Sequence, residues 1–245
     1  MTTISKNEIK YLRALSQKKY RDEEGVFLVE GEKMVAEALA SSFAVEKVYR
    51  TSEIGEDAMA RISSLSSPSP ALAVVRKPSA AEPGNELGPG LYLALDGIRD
   101  PGNLGTILRI ADWFGITAVF LSPDTVDLYN PKVVQATMGA IFRVPFHTVD
   151  IPALCTSVLE KGGRVYGTFL DGNDMYGEEL DTGSASPSVI VIGNEANGIS
   201  AETAAHVSDR LYIPPYPMDE PGSESLNAAI ATAVTIAEFR RRARR

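Results

Sequence analysis

The sequence predicts an α/β protein, a parallel sheet with helices on both faces, preceded by a smaller α/β domain. Three observations carry that reading. From residue 91 onward, near-continuous apolar strands alternate with helical segments, the pattern of a parallel sheet covered on both sides. Residues 77–90 (KPSAAEPGNELGPG) hold three prolines and three glycines, the composition of a linker. The 245 residues, 44% of them apolar, suffice for one large domain or two small ones. The expected organisation is a small domain over 1–76, a linker over 77–90 and a larger domain over 91–245.

Ser5 and Glu8 have capping-box spacing, so a helix over 6–18 follows, with Ile9, Leu12 and Leu15 on one face. Val26 to Val29 reads as a short buried strand. Residues 31–41 read as a helix with Met34, Val35, Ala38 and Leu39 apolar, then 45–50 as a strand, 53–65 as a helix and 71–75 as a strand. In the second half, strands are expected at 91–96, 117–121, 141–146, 164–170, 188–193 and 210–213. Helices are expected at 103–114, 130–139, 151–161, 200–207 and 225–242. The last helix is expected to bury Leu226, Ala229, Ile230, Ala233 and Ala237. Its many alanines favour close helix approach, as across a dimer interface.

Composition excludes several classes. No run of 18 uncharged apolar residues exists, so no membrane span is expected. The start MTTISKNEIKYLRALSQKKYR is polar and basic and lacks the apolar core of a secretory signal. One cysteine, Cys155, cannot form an internal disulfide, and two histidines with it are too few for a zinc site. The expected compartment is the cytoplasm. The net charge of −8 hides its distribution: residues 1–80 carry 12 basic and 11 acidic side chains, residues 81–245 carry 12 and 21. Lys6, Lys10, Arg13, Lys18, Lys19 and Arg21 face only Glu8 in the first 21 residues, and Arg240, Arg241, Arg242, Arg244 and Arg245 close the chain. Basic ends on an acidic body suit phosphate binding in two places, or solvated helix ends.

Three segments carry polar residues that a plain connection would not need. In LDGIRDPGNLGTILRIADWFG (95–115) a strand ends at Asp96 and a helix starts near Asn103, with Arg109 on that helix. Ligands of open α/β sheets bind where strands end and helices begin, and an Arg and an Asn there can hold phosphate or ribose oxygens. Asn103 as a helix cap and Arg109 in a structural ion pair are the plainer alternative. The loop has neither GxGxxG nor GxxxxGK[ST]. In VIVIGNEANGIS (189–200) an apolar strand runs into Gly193, which lets a ligand approach the backbone. Glu195 follows, Gly198 permits positive φ, and Ser200 is a helix cap. In IPPYPMDEPGSESLNAAI (213–230) four prolines fix a non-helical path. Ser223 or Ser225 is a candidate cap, and Asn227 is an amide in need of a partner at the start of an apolar helix.

Taken in order, these segments resemble the three motifs of the SpoU family of RNA ribose 2′-O-methyltransferases, within the SPOUT superfamily. DPGNLGTILRIADWFG is similar to the first motif, VIGNEANGIS to the second, and IP followed by SLNAAIATA to the third. The resemblance covers 91–245, and GVFLVEGEKMVAEAL in the first 75 residues is similar to the small RNA-binding domain of many members. Departures are the long stretch 214–224, Thr106 after Asn-x-Gly, and Ala228 and Ala229 in the third motif. The resemblance implies a C-terminal deep trefoil knot, a rare exception to the usual rules of chain connection. It implies S-adenosylmethionine as cofactor, held mainly by main-chain groups at Gly193, Ile213 and Leu226 with Thr168 nearby, and no metal. It implies a homodimer acting on RNA, ribosomal RNA favoured over transfer RNA. The catalytic positions it carries over are Arg109, Asn103, Glu195, Ser225 and Asn227. A guanidinium with pKa above ~12 is a poor free base. Arg109 is therefore expected to stabilise a developing alkoxide or grip a phosphate. Asn103 is expected to orient Arg109 or the ribose, and Glu195 to fix the loop or pair with Arg109. Ser225 and Asn227 are expected to hold the third loop.

Other residues take plainer roles. His147 and His206 read as surface or packed histidines, Cys155 as core, and Trp113 and Phe114 as packing. Asp171 to Asp174 lacks the spacing of a calcium loop. Alternatives to the leading reading are a transfer-RNA methyltransferase of the same family, a non-catalytic RNA-binding or ribosome-assembly protein, and a nicotinamide-dependent enzyme. The missing glycine fingerprint counts against the last.

Overall fold

The computed structural model describes residues 4–78, 87–217 and 225–243. They form two compact units. One comprises the described residues up to 78 together with Asp127–Arg143; the other comprises 87–126 and the described residues from 144 onward. The segment 127–143 thus lies within 91–245 in sequence and packs in the first unit. Of the linker expected over 77–90, residues 79–86 lie outside the described residues.

The first unit is built from α1 (Lys6–Ala14), α2 (Lys18–Glu24), β1 (Val26–Glu30), α3 (Glu32–Ala40), β2 (Val45–Arg50), α4 (Thr51–Ile54), α5 (Glu56–Ile62) and β3 (Ala71–Arg76). Its sheet is antiparallel, ordered β1-β3-β2, with Val29 opposite Ala73 and Val48 opposite the same residue on the other side. The Ser5 hydroxyl caps α1 through the Glu8 amide at 3.1 Å. The helix expected over 6–18 ends at Ala14, and after extended Gln17 a second helix runs from Lys18 to Glu24 and ends on left-handed Gly25. That second helix has no apolar stripe; it is anchored by Arg21, 2% exposed, whose guanidinium donates to the carbonyls of Leu15 and Ser16 and pairs with Asp127 at 2.5 Å. The helix expected over 53–65 breaks at Gly55, whose φ of 84° ends α4 and starts α5.

The segment 127–143 supplies α7 (Pro131–Thr137) and a 3-10 turn at Ala140–Phe142. The strand expected at 141–146 is displaced, with only Phe146 of that range in a strand. Ile141 and Phe142 are apolar because they are buried in the first unit, where Phe27, Phe43, Tyr129 and Phe142 cluster at 4.8–6.5 Å between ring centres.

The second unit holds β4 (Gly90–Asp96), α6 (Pro101–Trp113), β5 (Val119–Leu121), β6 (Phe146–Thr148), α8 (Ile151–Glu160), β7 (Arg164–Asp174), β8 (Pro187–Gly193), α9 (Ala201–Ala204), β9 (Asp209–Tyr212) and α10 (Ala228–Ala243). Its six strands run parallel in the order β6-β5-β4-β8-β7-β9. Successive side chains on a strand face opposite sides. Accordingly Val165 of β7 joins Cys155 and Val158 of α8 on one face, while its neighbour Tyr166 meets Phe239 of α10 on the other, ring centres 4.9 Å apart. Helices therefore cover both faces. The Cys155 thiol is buried and pushed up to about 12 by that burial. The helix expected at 200–207 is only the single turn α9.

Candidate active site

The site is assembled where parallel strands end. Asp96 and Gly193 are register partners at the carboxyl ends of β4 and β8, the two central strands. Helix α6 begins at Pro101, two residues earlier than expected, because Asp100 caps it by accepting the Asn103 amide at 2.8 Å. Asp before Pro at the first helical position is a readable start signal. With Asp100 as the cap, the Asn103 side chain is free for another task.

That task is a bridge. Asn103 is 9% exposed. Its Nδ2 donates to Glu195 Oε1 at 2.9 Å, and its Oδ1 accepts from Asn227 Nδ2 at 2.9 Å. Glu195 also accepts the backbone amides of Arg99 and Asp100, both at 3.1 Å. Asn227 Oδ1 accepts the amides of Ala229 and Ile230 and so caps α10. Three loops far apart in sequence are thereby joined through side chains of all three motifs. The expected caps were Ser223 and Ser225. Ser223 lies outside the described residues, and Ser225 is exposed and leaves the cap to Asn227.

Burial alone would raise the Glu195 carboxyl, but the hydrogen bonds from Asn103 and the surrounding amides outweigh it and hold the group below its ordinary value. A carboxylate so engaged is an anionic tie for the loop rather than a proton acceptor. Glu195 pairs with Asn103 and not with Arg109, and Asn103 holds Glu195 and Asn227 rather than orienting Arg109.

Arg109 lies eight residues into α6, is exposed, and makes no ion pair or side-chain hydrogen bond among the described residues. The structural ion pair considered for it is absent there. Trp113, four residues on and hence on the same side of the helix, is 85% exposed rather than packed.

Gly193 is needed because the chain itself closes on it. A Cβ there would stand 2.2 Å from the Gly198 carbonyl carbon and from the Ile199 nitrogen. The turn 194–198 folds back over the strand end with Gly198 at φ 70°, and Asn194 ties it to the Gly97 carbonyl at 2.7 Å. Ser200 caps α9 and gives its amide to Asp96 at 2.8 Å. Ser122 receives the Gly97 amide at 2.8 Å, and Asp124 pairs with Arg99 at 2.7 Å. Gly198 and the Ser200 cap are as the sequence predicts, whereas Ser122, Asp124, Asn194 and Arg99 are not singled out by it. Of the residues missed, only Asp100-Pro101 carried a local signal; the others depend on contacts 25 to about 100 positions apart.

Gly193 ends β8, Ile213 follows the end of β9, Thr168 lies within the intervening strand β7 opposite Leu211, and Leu226 adjoins the bridged Asn227. Leu226 is 49% exposed and Ile213 partly so. Strand-end main chain beside uncovered aliphatic surface fits a ligand with a flat heteroaromatic group, which takes hydrogen bonds at its edge and apolar contact on its face. The burial expected of α10 needs correction. Ala229 is buried as expected, together with Ala228, Thr232, Thr235, Ile236, Glu238 and Phe239, while Ala233 and Ala237 are only partly buried and Leu226 and Ile230 are about half exposed.

The basic ends are not both available. Arg240 donates to the carbonyls of Phe114 at 2.7 Å and Gly115 behind α6, Arg241 and Arg242 clasp Glu238, and Arg244 and Arg245 lie outside the described residues. His206 meets the Thr156 hydroxyl at 3.2 Å and His147 stacks near Phe120. Among the described residues, no group of three or more His, Cys, Asp or Glu side chains could hold a metal ion. No helix there is long and apolar enough to cross a membrane.

The second unit is a parallel α/β fold in which polar side chains of three loops meet at the strand ends, with an arginine on α6 that has no ion pair among the described residues. Comparison with known proteins makes this particular. Residues 90–237 match the SpoU rRNA Methylase family, and residues 6–69 match the MRM3-like substrate binding domain. The chain belongs to the SpoU rRNA methylase family. It is 30% identical to the Bacillus subtilis 23S rRNA (guanosine(2553)-2′-O)-methyltransferase RlmP, with 96% of this chain and 97% of that protein covered. It is 29% identical to Homo sapiens mitochondrial rRNA methyltransferase 3, over 92% and 70% of the two chains. An AdoMet-bound rRNA methyltransferase structure from Sinorhizobium meliloti has a TM-score of 0.87 and 30% identity, covering 99% of this chain and 97% of that one.

Proposed function

We propose that this protein methylates a ribose 2′-hydroxyl of ribosomal RNA with S-adenosylmethionine as donor. The carrying observation is the Glu195–Asn103–Asn227 bridge, which joins three strand-end loops at the helix that also bears Arg109, exposed and without an ion pair among the described residues. The cofactor supplies an already activated methyl group. The chain's share is to hold it, align the ribose and exclude water. Main-chain groups at Gly193, Ile213 and Leu226, with Thr168 nearby, would hold the cofactor. Arg109 places a permanent positive charge beside the 2′-oxygen, stabilising the negative charge that develops as its proton leaves. Asn103, Glu195 and Asn227 keep the loops in register, and Ser225 seats the third loop against substrate or cofactor.

In this reading the domain over 1–76 binds RNA and the domain over 91–245 carries the knot of its family. The protein works in the cytoplasm as a homodimer. Trp113, Leu226 and Ile230, exposed apolar side chains on or beside the packed helices α6 and α10, are the surface that a second copy covers. Light scattering of wild type and Trp113→Glu tests this: dimer against monomer is expected, and two identical masses contradict it.

The activity is tested by incubating the protein with methyl-labelled S-adenosylmethionine and either ribosomal or transfer RNA, then digesting to nucleosides. Label in a 2′-O-methyl nucleoside from ribosomal RNA is expected. Label only from transfer RNA corrects the substrate, and no label in either contradicts the proposal.

A further inference from the structure

An RNA substrate needs a cationic surface, and the structure narrows where the first unit can offer one. Half of its described cations are neutralised: Lys18 and Lys77 by Asp22, Lys19 by Glu23, Lys47 by Glu8, Arg76 by Glu46, Arg143 by Glu37, and buried Arg21 by Asp127. Helix α1 differs. Its fully exposed positions are Lys6, Asn7, Lys10 and Arg13, without an acid among them. The side chains of the three cations make no ion pair or hydrogen bond among the described residues. The helix's one carboxylate, Glu8, is bound by Lys47 and by the Tyr49 hydroxyl at 2.7 Å, which together hold it below its ordinary pKa. Positions 6, 10 and 13 fall on one side of the helix, clear of buried Ile9 and Leu12. At 1.5 Å per residue the stripe is about 10 Å long.

We propose that Lys6, Lys10 and Arg13 form the phosphate-contacting surface through which the first unit grips the RNA backbone. This rests on the methyltransferase reading above. One cation per helical turn, with no intervening acid, complements a ligand bearing regularly repeated negative charge. The stretch also opens the segment that matches a substrate binding domain. Such contacts fix affinity and orientation and carry no base information, so the stripe governs how tightly RNA is held rather than which nucleotide is modified.

The test compares wild type, a Lys6→Gln/Lys10→Gln/Arg13→Gln variant, and a Lys18→Gln/Lys19→Gln control whose cations are already paired. Binding to ribosomal RNA extracted from bacterial ribosomes is measured by filter retention across a salt series, alongside cofactor binding by calorimetry and methyl transfer. Each lost phosphate contact should flatten the slope of log K against log salt by about 0.7–0.9. The triple variant should therefore lose about two units of slope and tenfold or more in RNA affinity at low salt. Its KM for RNA should rise, with kcat at saturating RNA and cofactor affinity within twofold of wild type, and the control should stay near wild type. An unchanged slope in an active triple variant overturns the surface and leaves the activity standing. Equal losses in the control overturn it too, because total charge rather than this stripe would then matter. A wild type that binds cofactor but neither binds nor methylates RNA overturns the methyltransferase reading, and the stripe with it.

Discussion

Replacing Asn103 by Asp probes the bridge with almost no change in shape. The new side chain can still accept from Asn227, now at 2.9 Å, but it turns an oxygen toward Glu195 Oε1 where an amide stood at 2.9 Å. Two carboxylates about 3 Å apart repel by about 1–6 kcal/mol for effective dielectrics between bulk water and the protein surface. Loss of the amide's hydrogen bond adds about 1 kcal/mol. At about 2–4 °C per kcal/mol for a chain of this size, a fall in melting temperature of order 10 °C is expected at pH 7.5. Asn103→Ala should lose about 2 kcal/mol, since two neutral-side hydrogen bonds go without new repulsion. The two variants separate by pH. In Asn103→Asp the facing carboxyls have a folded-state pKa raised above the unfolded value. Stability is then recovered as pH falls and one proton bridges the pair, and it is lost as pH rises through that raised value. Melting curves of both variants and wild type from pH 4.5 to 8 supply the comparison. If Asn103→Asp melts like Asn103→Ala at every pH, Asn103 does not face Glu195 in solution and the bridge is wrong.

Three further outcomes are expected. Gly193→Ala should weaken S-adenosylmethionine binding and cost about 1–3 kcal/mol or more, because its methyl would meet the 198–199 backbone at 2.2 Å; calorimetry and melting unchanged from wild type would contradict this. Asp127→Ala should destabilise the first unit by about 3–5 kcal/mol in urea unfolding, since it strips the carboxylate from a guanidinium that is 2% exposed. Glu238 is held down to about 2, first by Arg241 and against the opposing effect of burial, with Arg242 adding to it. Its stabilising contribution is present at neutral pH and is lost as pH falls from the ordinary carboxylate range toward 2. The melting-temperature gap between wild type and Glu238→Gln should close over that interval, and a gap constant with pH would refute the pairing.

Much of the second unit's sheet is legible because its central strands are apolar on both faces. LYLALD and SVIVIG can only be buried parallel strands, and their ends locate the site. What sequence conceals is where an apolar run is used. IFRVPF reads as a strand, yet Ile141 and Phe142 serve the aromatic cluster of the first unit as a 3-10 turn. Helix α2 (KKYRDEE) has no apolar period and rests on one buried arginine whose partner is 106 positions away. The motif residues Asn103, Glu195 and Asn227 stand out in the sequence because amides and carboxylates are unusual there. Their roles do not, since Asp100 caps α6, Asn227 caps α10, and the bridge between them exists only once the sheet has folded. The arginine-rich end illustrates the same limit. Charge density suggests a ligand surface, while Arg240 and Arg242 spend their donors on carbonyls of their own chain.

In the proposed reaction Arg109, which has no ion pair or side-chain hydrogen bond among the described residues, supplies the positive charge for ribose methylation. Single-turnover methyl transfer by Arg109→Ala, at saturating cofactor and ribosomal RNA, tests it most directly. A rate lower by ~10² or more is expected, with cofactor affinity and melting temperature matching wild type because an exposed side chain without an ion pair among the described residues contributes little to stability. A rate within threefold of wild type would contradict it.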